Sequence, residues 1–303
     1  MDKLANFSLG FRIVPMSDPS RRDILRTAVI PGMAWALQGN GAAPSAAGGP
    51  HRFEETAGFA LADLVSHCPL AILPLGSLEF HGPHNPLGSD SIIISGIAER
   101  VAVRTNALLF PTIRFTQSPA HTANFLGSVS IRPEVMTMYF ADVLRNVLHL
   151  GFRKVLVLNG HDGNIGPARG AVSQVADENK AATVLFASWW EFVPGERVKA
   201  LGMFHQANGG HGHGGPLETS AVAAFRPDLI HLDRVEDLPE PPDLGDGSPY
   251  FLQRSTTASW PGYSGKVSEA SPEKGQRIVQ MSEDRIVLLV ENWLKHGEVP
   301  GSW

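Results

Sequence analysis

Carboxylate and histidine side chains gather in three glycine- and proline-rich stretches of this 303-residue chain. In the first stretch, residues 76–86, Glu79 and His81 stand two positions apart, so on an extended chain both point to the same side. Asp90 follows and can return to them through the turn. Two carboxylates and an imidazole form a ligand set that suits zinc and similar divalent ions. A polar loop with a capping Asp and a solvated Glu is the alternative.

The second and third stretches supply further donors. In residues 159–164, His161 directly follows an apolar run, where an ordinary turn with an exposed histidine is the alternative. Residues 211–220 hold His211 and His213 between glycines, and Glu218 begins an apolar helix. A carboxylate held against a core needs a partner, and a cation is the strongest one. A flexible surface tract is the competing interpretation of this stretch.

Between these stretches, strand and helix patterns alternate. Short apolar runs predict strands at 71–75, 107–113, 154–158 and 183–188. Apolar residues spaced by three and four predict helices at 91–105, 133–151, 166–179, 217–225 and 274–296. Such alternation predicts an α/β domain with a mostly parallel sheet, in which sites form beyond the carboxyl ends of strands. The first two stretches begin where a strand ends, so we expect them at the same edge of the sheet.

Composition excludes several classes of protein. An apolar fraction of 43% and a net charge of -5 exclude a disordered chain and a basic nucleic-acid-binding protein. No apolar run approaches the roughly 20 residues of a transmembrane helix. The single cysteine, Cys68, excludes an internal disulfide and a cysteine-rich zinc site. We expect a soluble protein with a small-molecule substrate and no nucleic-acid partner.

Residues 1–49 differ from the rest of the chain. The pair Arg21 and Arg22 precedes a mildly apolar segment at 27–37 and then small residues at 39–47, which is the order of an export signal. The twin arginine resembles a Tat signal, an address read by the machinery that exports folded proteins. We expect an export signal or disordered extension at 1–49, a single domain at 50–303, and a periplasmic location. A cytoplasmic protein with an N-terminal helix is the alternative.

Taken together, the three stretches resemble the creatininase (creatinine amidohydrolase) family. Its motifs run G-S-x-E-Q-H-G-P-H-L-P with an Asp nine residues after the histidine ligand, then N-G-H-G-G-N, then H-A-G-x-x-E-T-S. The present sequence departs at Phe80, Asn85 and Asp162, where the family has Gln, Leu and Gly. Residues 117–121, 125–130 and 265–275 resemble further family segments, so the resemblance spans roughly residues 53–296.

This resemblance implies a three-layer α/β/α sandwich and two divalent metal ions, Zn or Mn with Fe possible. By position, Glu79 and His161 would bind one ion and His81 the other, while Asp90 would bridge them. Creatininase has a further glutamate ligand two residues after the second-motif histidine. The residue here is Gly163.

That departure argues against creatinine as the substrate. It makes Glu218 the best candidate to complete the second metal site, ahead of Asp162. His213 occupies the general acid/base position of the family, with His211 as its rival, and Glu218 is a further catalytic candidate.

Substrate contacts are implied at the edges of the site. Tryptophans in the corresponding part of creatininase help to close over substrate, which makes Trp189 and Trp190 candidates. His84 and His121 are candidates as well. For His84, a structural hydrogen bond to a loop carbonyl is the alternative.

The function that follows is hydrolysis of a C–N bond in a cyclic or small linear amide by metal-activated hydroxide. A family member that acts on another bond, such as the C–C bond of a cyclic ketone, is the alternative within enzymes. A metal-bound small-molecule binding protein without turnover is the alternative outside them. The resemblance also implies a homo-oligomer, commonly a hexamer.

Overall fold

The computed structural model describes residues 49–203, 212–239 and 260–297, all of which lie in one compact unit. The predicted export signal falls outside these ranges except for Gly49. His211 and most of the loop that precedes Trp260 also lie outside them. No helix in the described part of the chain is both long and apolar enough to cross a membrane.

A parallel sheet forms the centre of the described residues. Its strands, in chain order, are β1 (His51–Arg52), β2 (Ala71–Leu75), β3 (Leu108–Leu109), β4 (Lys154–Asn159) and β5 (Thr183–Ser188). The spatial order is β1-β3-β2-β4-β5, and every pairing is parallel. The register aligns Leu75 with Asn159 and Asn159 with Ser188. The carboxyl ends of β2, β4 and β5 therefore meet at one edge of the sheet.

Helices cover the connections between the strands. They are α1 (Leu61–His67), α2 (Ser89–Thr105), α3 (Ala120–Ala123), α4 (Pro133–His149), α5 (Ile165–Glu178), α6 (Gly195–Ala200), α7 (Pro216–Phe225) and α8 (Pro272–His296). Proline at the first position begins α4, α7 and α8, where its missing N–H costs nothing. The five long helices lie where the apolar spacing predicts them.

The sheet buries both of its faces. Leu156 and Leu158 of β4 pack into a cluster with α2, α7 and α8. The alternating residues Val155 and Val157 pack into a second cluster with α4 and α5. Burial on both faces explains why the strands read as continuous apolar runs. The predicted three-layer α/β/α sandwich is confirmed.

Strand β3 is shorter than the predicted strand at 107–113. Phe110 still donates its N–H to Ile72 O, and Ile113 donates to Pro74 O. Pro111 lies between them and has no N–H to offer. The segment at 107–113 therefore runs alongside β2, but its pairing is interrupted at Pro111. Pairing resumes at an isolated bridge between Leu75 and Ile113.

Candidate metal centre

Four buried side chains converge beyond the carboxyl ends of β2 and β4. Glu79 and His81 lie four and six residues after β2 ends, and His161 follows β4 by two residues. Asp90 lies in the first turn of α2, which begins at Ser89, two residues before the predicted start. Their exposed fractions are 0%, 1%, 4% and 1% respectively. Carboxylates and imidazoles that are buried together in this way need either opposite charges on one another or a bound cation.

Asp90 lies between the two histidines. Its Oδ1 is 3.1 Å from His81 Nε2, and its Oδ2 is 3.0 Å from His161 Nδ1. The same His161 Nδ1 is 3.3 Å from Glu79 Oε2. One carboxylate thus faces a different histidine with each oxygen, which is the arrangement that a bridging ligand needs.

Three histidine rings are each fixed by a backbone carbonyl. His81 Nδ1 bonds Glu79 O at 3.0 Å, His161 Nε2 bonds Gln117 O at 2.9 Å, and His213 Nε2 bonds Phe80 O at 2.7 Å. A carbonyl only accepts, so each of these nitrogens carries the proton. The other nitrogen of each ring faces the carboxylates. Such outer hydrogen bonds orient metal-binding histidines and fix their tautomer.

The donor set fits a divalent cation. In the neutral tautomers, the lone pairs of His81 Nε2 and His161 Nδ1 point at carboxylate oxygens, which is unfavourable unless a proton or a cation lies between them. Glu79 Oε2 is buried and makes no hydrogen bond. Nitrogen and oxygen donors at this spacing suit Zn and Mn. The residues present therefore fit a metal centre.

Hydroxyl groups hold the carboxylates from behind. Thr122 Oγ1, in α3, donates to Glu79 Oε1, and Ser77 Oγ donates to Asp90 Oδ2 at 2.5 Å. Each hydrogen bond engages one oxygen and restricts rotation of the carboxylate group. Sequence reasoning missed both residues. Ser77 lies within the first motif, whereas Thr122 had no signal beyond following His121.

The third stretch completes the cluster. Glu218 lies in the first turn of α7, accepts from Gly214 N at 2.8 Å, and approaches His81 Nε2 to 3.7 Å. His213 places Nδ1 3.8 Å from Glu79 Oε2, and its ring centroid lies 4.1 Å from that of His81. The Glu218 and His213 side chains are 17% and 19% exposed. They therefore form the open side of the centre.

Three sets of potential ligands are close enough to hold a metal ion among the described residues: Glu79 with Asp90 and His161; His81 with Asp90 and Glu218; and Glu79 with His81 and His213. The first two sets share Asp90 and match the two ligand groups that the sequence predicts. His213 enters only the third set.

Without a metal ion, the charges and burial of the cluster give its histidines different pKa values. Burial opposes charge on His81 and His161, but the facing carboxylates dominate. They raise the pKa of His81 well above 6.5 and that of His161 to about 9. Burial and the neighbouring His81 lower the pKa of His213 well below 6.5. Burial raises the pKa of the Glu218 carboxyl to about 7.

Positions 162 and 163 supply no ligand in this structure. Asp162 is exposed and belongs to none of the three ligand sets. A Cβ on Gly163 would lie 2.5 Å from both Gln117 O and His161 Nε2. The bond that orients His161 therefore occupies the space of a side chain, and the glutamate found here in creatininase would require this region to rearrange.

His84, a predicted substrate contact, is held by a structural hydrogen bond. The residue is fully buried, and its Nε2 bonds Gly214 O at 3.0 Å. Burial lowers its pKa to about 4. His84 thus ties the first stretch to the third, which is the structural alternative that the sequence left open.

Trp189 and Trp190, the predicted substrate wall, pack against the hydrophobic core. Trp189 is 0% exposed and packs in the core cluster with α2, α7 and α8. Trp190 packs edge-on against it, with ring centroids 6.1 Å apart, and against the same cluster. Both tryptophans follow the end of β5 and so lie near the edge of the sheet that holds the centre. The short helical turn at 189–192 directs the Trp189 ring into the core.

A different tryptophan adjoins the centre. Trp260 places its ring centroid 5.6 Å from His213 and 5.4 Å from His121, and His121 is itself 6.3 Å from His213. His121 therefore lies beside the centre, and its contact with substrate stays a prediction. Sequence reasoning missed Trp260, which lies outside all of the motifs.

Comparison with known proteins is consistent with this geometry. The model of the family described as "Creatininase: Creatinine amidohydrolase" matches residues 54–290. The mycofactocin precursor peptide peptidase of Mycobacterium ulcerans (strain Agy99) is 30% identical over 240 residues, which cover 76% of this chain and 88% of that protein. The creatinine amidohydrolase of Pseudomonas putida is 29% identical over 221 residues, which cover 69% and 84%.

A more divergent relative is the 3-dehydro-scyllo-inosose hydrolase of Thermotoga maritima, which is 28% identical over 172 residues covering 57% of this chain and 49% of that protein. Among solved structures, a creatininase described as the Mn form aligns with a TM-score of 0.70 and 27% identity, covering 81% of this chain and 99% of the other. A mutant creatininase of Zn-Zn type aligns with a TM-score of 0.69 and 25% identity, covering 80% and 98%.

Proposed function

Because this chain belongs to the creatininase family, we propose that it is a metal-dependent amidohydrolase that uses two divalent ions. The bond that it hydrolyses is a C–N bond other than a peptide bond, in a cyclic or small linear amide. One observation carries the proposal: Asp90 faces His81 with one oxygen and His161 with the other. The chain is a hydrolase by family, and its described residues include a cluster able to bind metal. The number of ions and the bond cleaved are the proposed part.

The residues divide naturally into two ligand groups. Glu79 and His161 would hold one ion, His81 and Glu218 the other, and Asp90 would contact both. Zn or Mn suits these donors, and Fe is a further possibility. Such ions, when bound, polarise a carbonyl and lower the pKa of water toward 7. The fixed rings and the hydroxyls of Thr122 and Ser77 keep the donors in place.

His213 is suited to move the proton. Its Nε2–H is committed to Phe80 O, so Nδ1 is the free nitrogen and faces the cluster. Its depressed pKa leaves Nδ1 unprotonated at neutral pH. It can therefore accept a proton from the attacking water and return it to the leaving nitrogen. Glu218, with a pKa of about 7 in the metal-free protein, is the second proton-carrying candidate.

Several observations narrow the range of possible substrates. Gly163 leaves no room for the further glutamate ligand of creatininase, which supports an amide other than creatinine. The mycobacterial relative is named for a peptide substrate and the Thermotoga relative for a cyclic one. A short peptide and a cyclic ketone are therefore the alternatives. A binding protein without turnover is disfavoured, because His213 and Glu218 both remain beside the ligands.

The test is a reconstitution screen. Chelator-treated protein is reloaded with Zn²⁺ or Mn²⁺ and assayed on lactams, hydantoins, imidazolones and formamides, with short peptides and cyclic ketones as parallel sets. We expect metal-dependent hydrolysis within the amide sets and loss of activity in His213→Gln. Metal-dependent turnover confined to the peptides or ketones would overturn the substrate class. Metal binding without turnover in every set would favour the binding protein.

We further propose export through the Tat-like signal at residues 1–49, which rests on the sequence alone. Replacing Arg21 and Arg22 with lysine and fractionating the cells tests it. We expect the protein to accumulate in the cytoplasm, and unchanged periplasmic recovery would overturn the proposal. Homo-oligomeric assembly stays a prediction that sedimentation can check.

A further inference from the structure

Three aromatic rings beside the metal centre form a continuous surface. Phe80 and Phe125 stack with their centroids 4.7 Å apart and their planes 8° apart. Trp260 meets Phe125 edge-on, with centroids 5.9 Å apart and planes at 79°. All three side chains are partly exposed. We call these three residues the aromatic wall.

The aromatic wall adjoins the reacting groups. Trp260 lies 5.6 Å from the ring of His213, whose Nδ1 faces the ligands. Phe80 stands between the ligands Glu79 and His81 in sequence, and its carbonyl holds His213. A molecule whose scissile amide reaches the centre would therefore present its nearest substituent to these rings.

The tryptophan is held in place by the two residues that follow Pro261. Gly262 has a φ of +82°, and a Cβ there would lie 2.6 Å from the Phe80 ring. Tyr263 is 6% exposed, and its hydroxyl donates to Glu236 O at 3.0 Å. The backbone is thus fitted against Phe80 and anchored in the protein, while the Trp260 side chain stays partly exposed.

These rings lie apart from the hydrophobic core. Neither of the two hydrophobic core clusters in the described residues contains Phe80, Phe125 or Trp260. Phe80 also stands where the family usually has a glutamine. Partly exposed aromatic residues outside the core and beside a reaction centre are suited to ligand contact.

We propose that the aromatic wall binds a flat, uncharged ring of the substrate next to the scissile amide, with Trp260 as the specificity-determining residue. This rests on the proposed amidohydrolase function. The wall carries no charged group, so a neutral planar ring gains stacking that a puckered ring of the same size does not. The substrate class is therefore an aryl- or heteroaryl-substituted amide.

Binding of a matched pair of probes tests the proposal without requiring turnover. Benzamide and cyclohexanecarboxamide share the amide and the carbon count and differ in ring planarity. Their dissociation constants are measured by calorimetry on zinc-loaded protein, with KM used for any probe that is hydrolysed. We expect about fivefold to tenfold tighter binding of benzamide, which is the size of an aromatic pair contribution.

Three variants assign that preference. Trp260→Leu should bind the two probes equally, and Trp260→Phe should keep most of the preference. Phe59→Leu removes an aromatic ring that is 93% exposed and should leave the preference unchanged. Zinc content is measured for each protein, and unchanged content shows that the centre is intact.

The outcomes separate this inference from the proposed function. Equal binding of both probes by the unaltered protein, or an unchanged preference in Trp260→Leu, would overturn the role of the wall. A preference that depends on Trp260 in a protein that hydrolyses no amide would support the wall and contradict the amidohydrolase. Loss of zinc in both Trp260 variants would reassign Trp260 to the structure of the centre and overturn its role in specificity.

Discussion

The strand-end half of the candidate site and its loop half are held in different ways. Glu79, His81, Asp90 and His161 follow parallel strands or begin a long helix, and each is at most 4% exposed. His213 and Trp260, by contrast, lie on segments without strand or helix and remain partly exposed. The strand-end half has the rigidity that metal ligands require, and the loop half is open to substrate.

The difference also separates two kinds of chemistry. Charges that must be compensated in the dry interior belong to the strand-end half. In the loop half lie a neutral histidine and aromatic rings. Glu218, in the first turn of α7, belongs with the ligands of the strand-end half. Substitutions in the first half should therefore act on metal content, and those in the second on turnover and selectivity.

The largest effect is expected from Asp90→Ala. Because Asp90 faces both ligand groups, its loss should remove both ions and reduce activity to background. Metal content is measured by elemental analysis after dialysis, with Asp162→Ala as the control because Asp162 is an exposed carboxylate in the same site region. Two ions per chain retained in Asp90→Ala would contradict the bridging role.

His213→Gln should separate turnover from metal content. We expect a loss of kcat of about 10² to 10⁴, the range for removal of a general acid/base, with unchanged metal. The pH profile should lose the limb that reports His213. If the variant instead lost its metal, His213 would be a ligand, as the set with Glu79 and His81 permits.

Metal affinity should rise with pH. The pKa of His161 is raised to about 9 in the metal-free protein, so a proton occupies the nitrogen that faces Glu79 and Asp90 at neutral pH. A metal ion must displace that proton. Affinity for the Glu79–Asp90–His161 site should therefore fall by about 100-fold from pH 8 to pH 6 and level off above pH 9.

Calorimetry in buffers of different ionisation enthalpy measures the released protons directly. We expect net release when metal binds near pH 8. Binding with no proton release across this range would contradict the protonated state of the metal-free histidines.

A smaller effect is expected from Thr122→Val, which removes the hydrogen bond to Glu79 Oε1 and keeps the shape of the side chain. Loss of such an outer contact should weaken metal binding by about 10- to 100-fold. Thr137→Val, at a partly exposed site on α4 away from the centre, is the matched control. Equal affinity in the two variants would make Thr122 dispensable for the centre.

The same division explains what the sequence could predict. Continuous apolar runs and helical spacing located β2, β4, β5 and the long helices, because burial dictates those patterns. Glu79, His81 and His161 could be predicted to converge because parallel strands end at one edge. The interruption at Pro111 in the second predicted strand follows from the missing N–H of proline.

The loop half was less predictable because nothing local fixes how a loop returns. Trp189 and Trp260 are chemically alike, yet one lies in the core and the other beside His213. Their positions depend on the short turn after β5 and on the fit of Gly262 against Phe80. Contacts of that kind exist only in the folded chain.

The central claim is that two ions share Asp90. Anomalous diffraction from a crystal of the zinc-loaded protein, recorded at the zinc edge, tests it most directly. We predict two peaks, one among Glu79, Asp90 and His161 and the other among His81, Asp90 and Glu218. A single peak, or two peaks without Asp90 as a common ligand, would contradict the account.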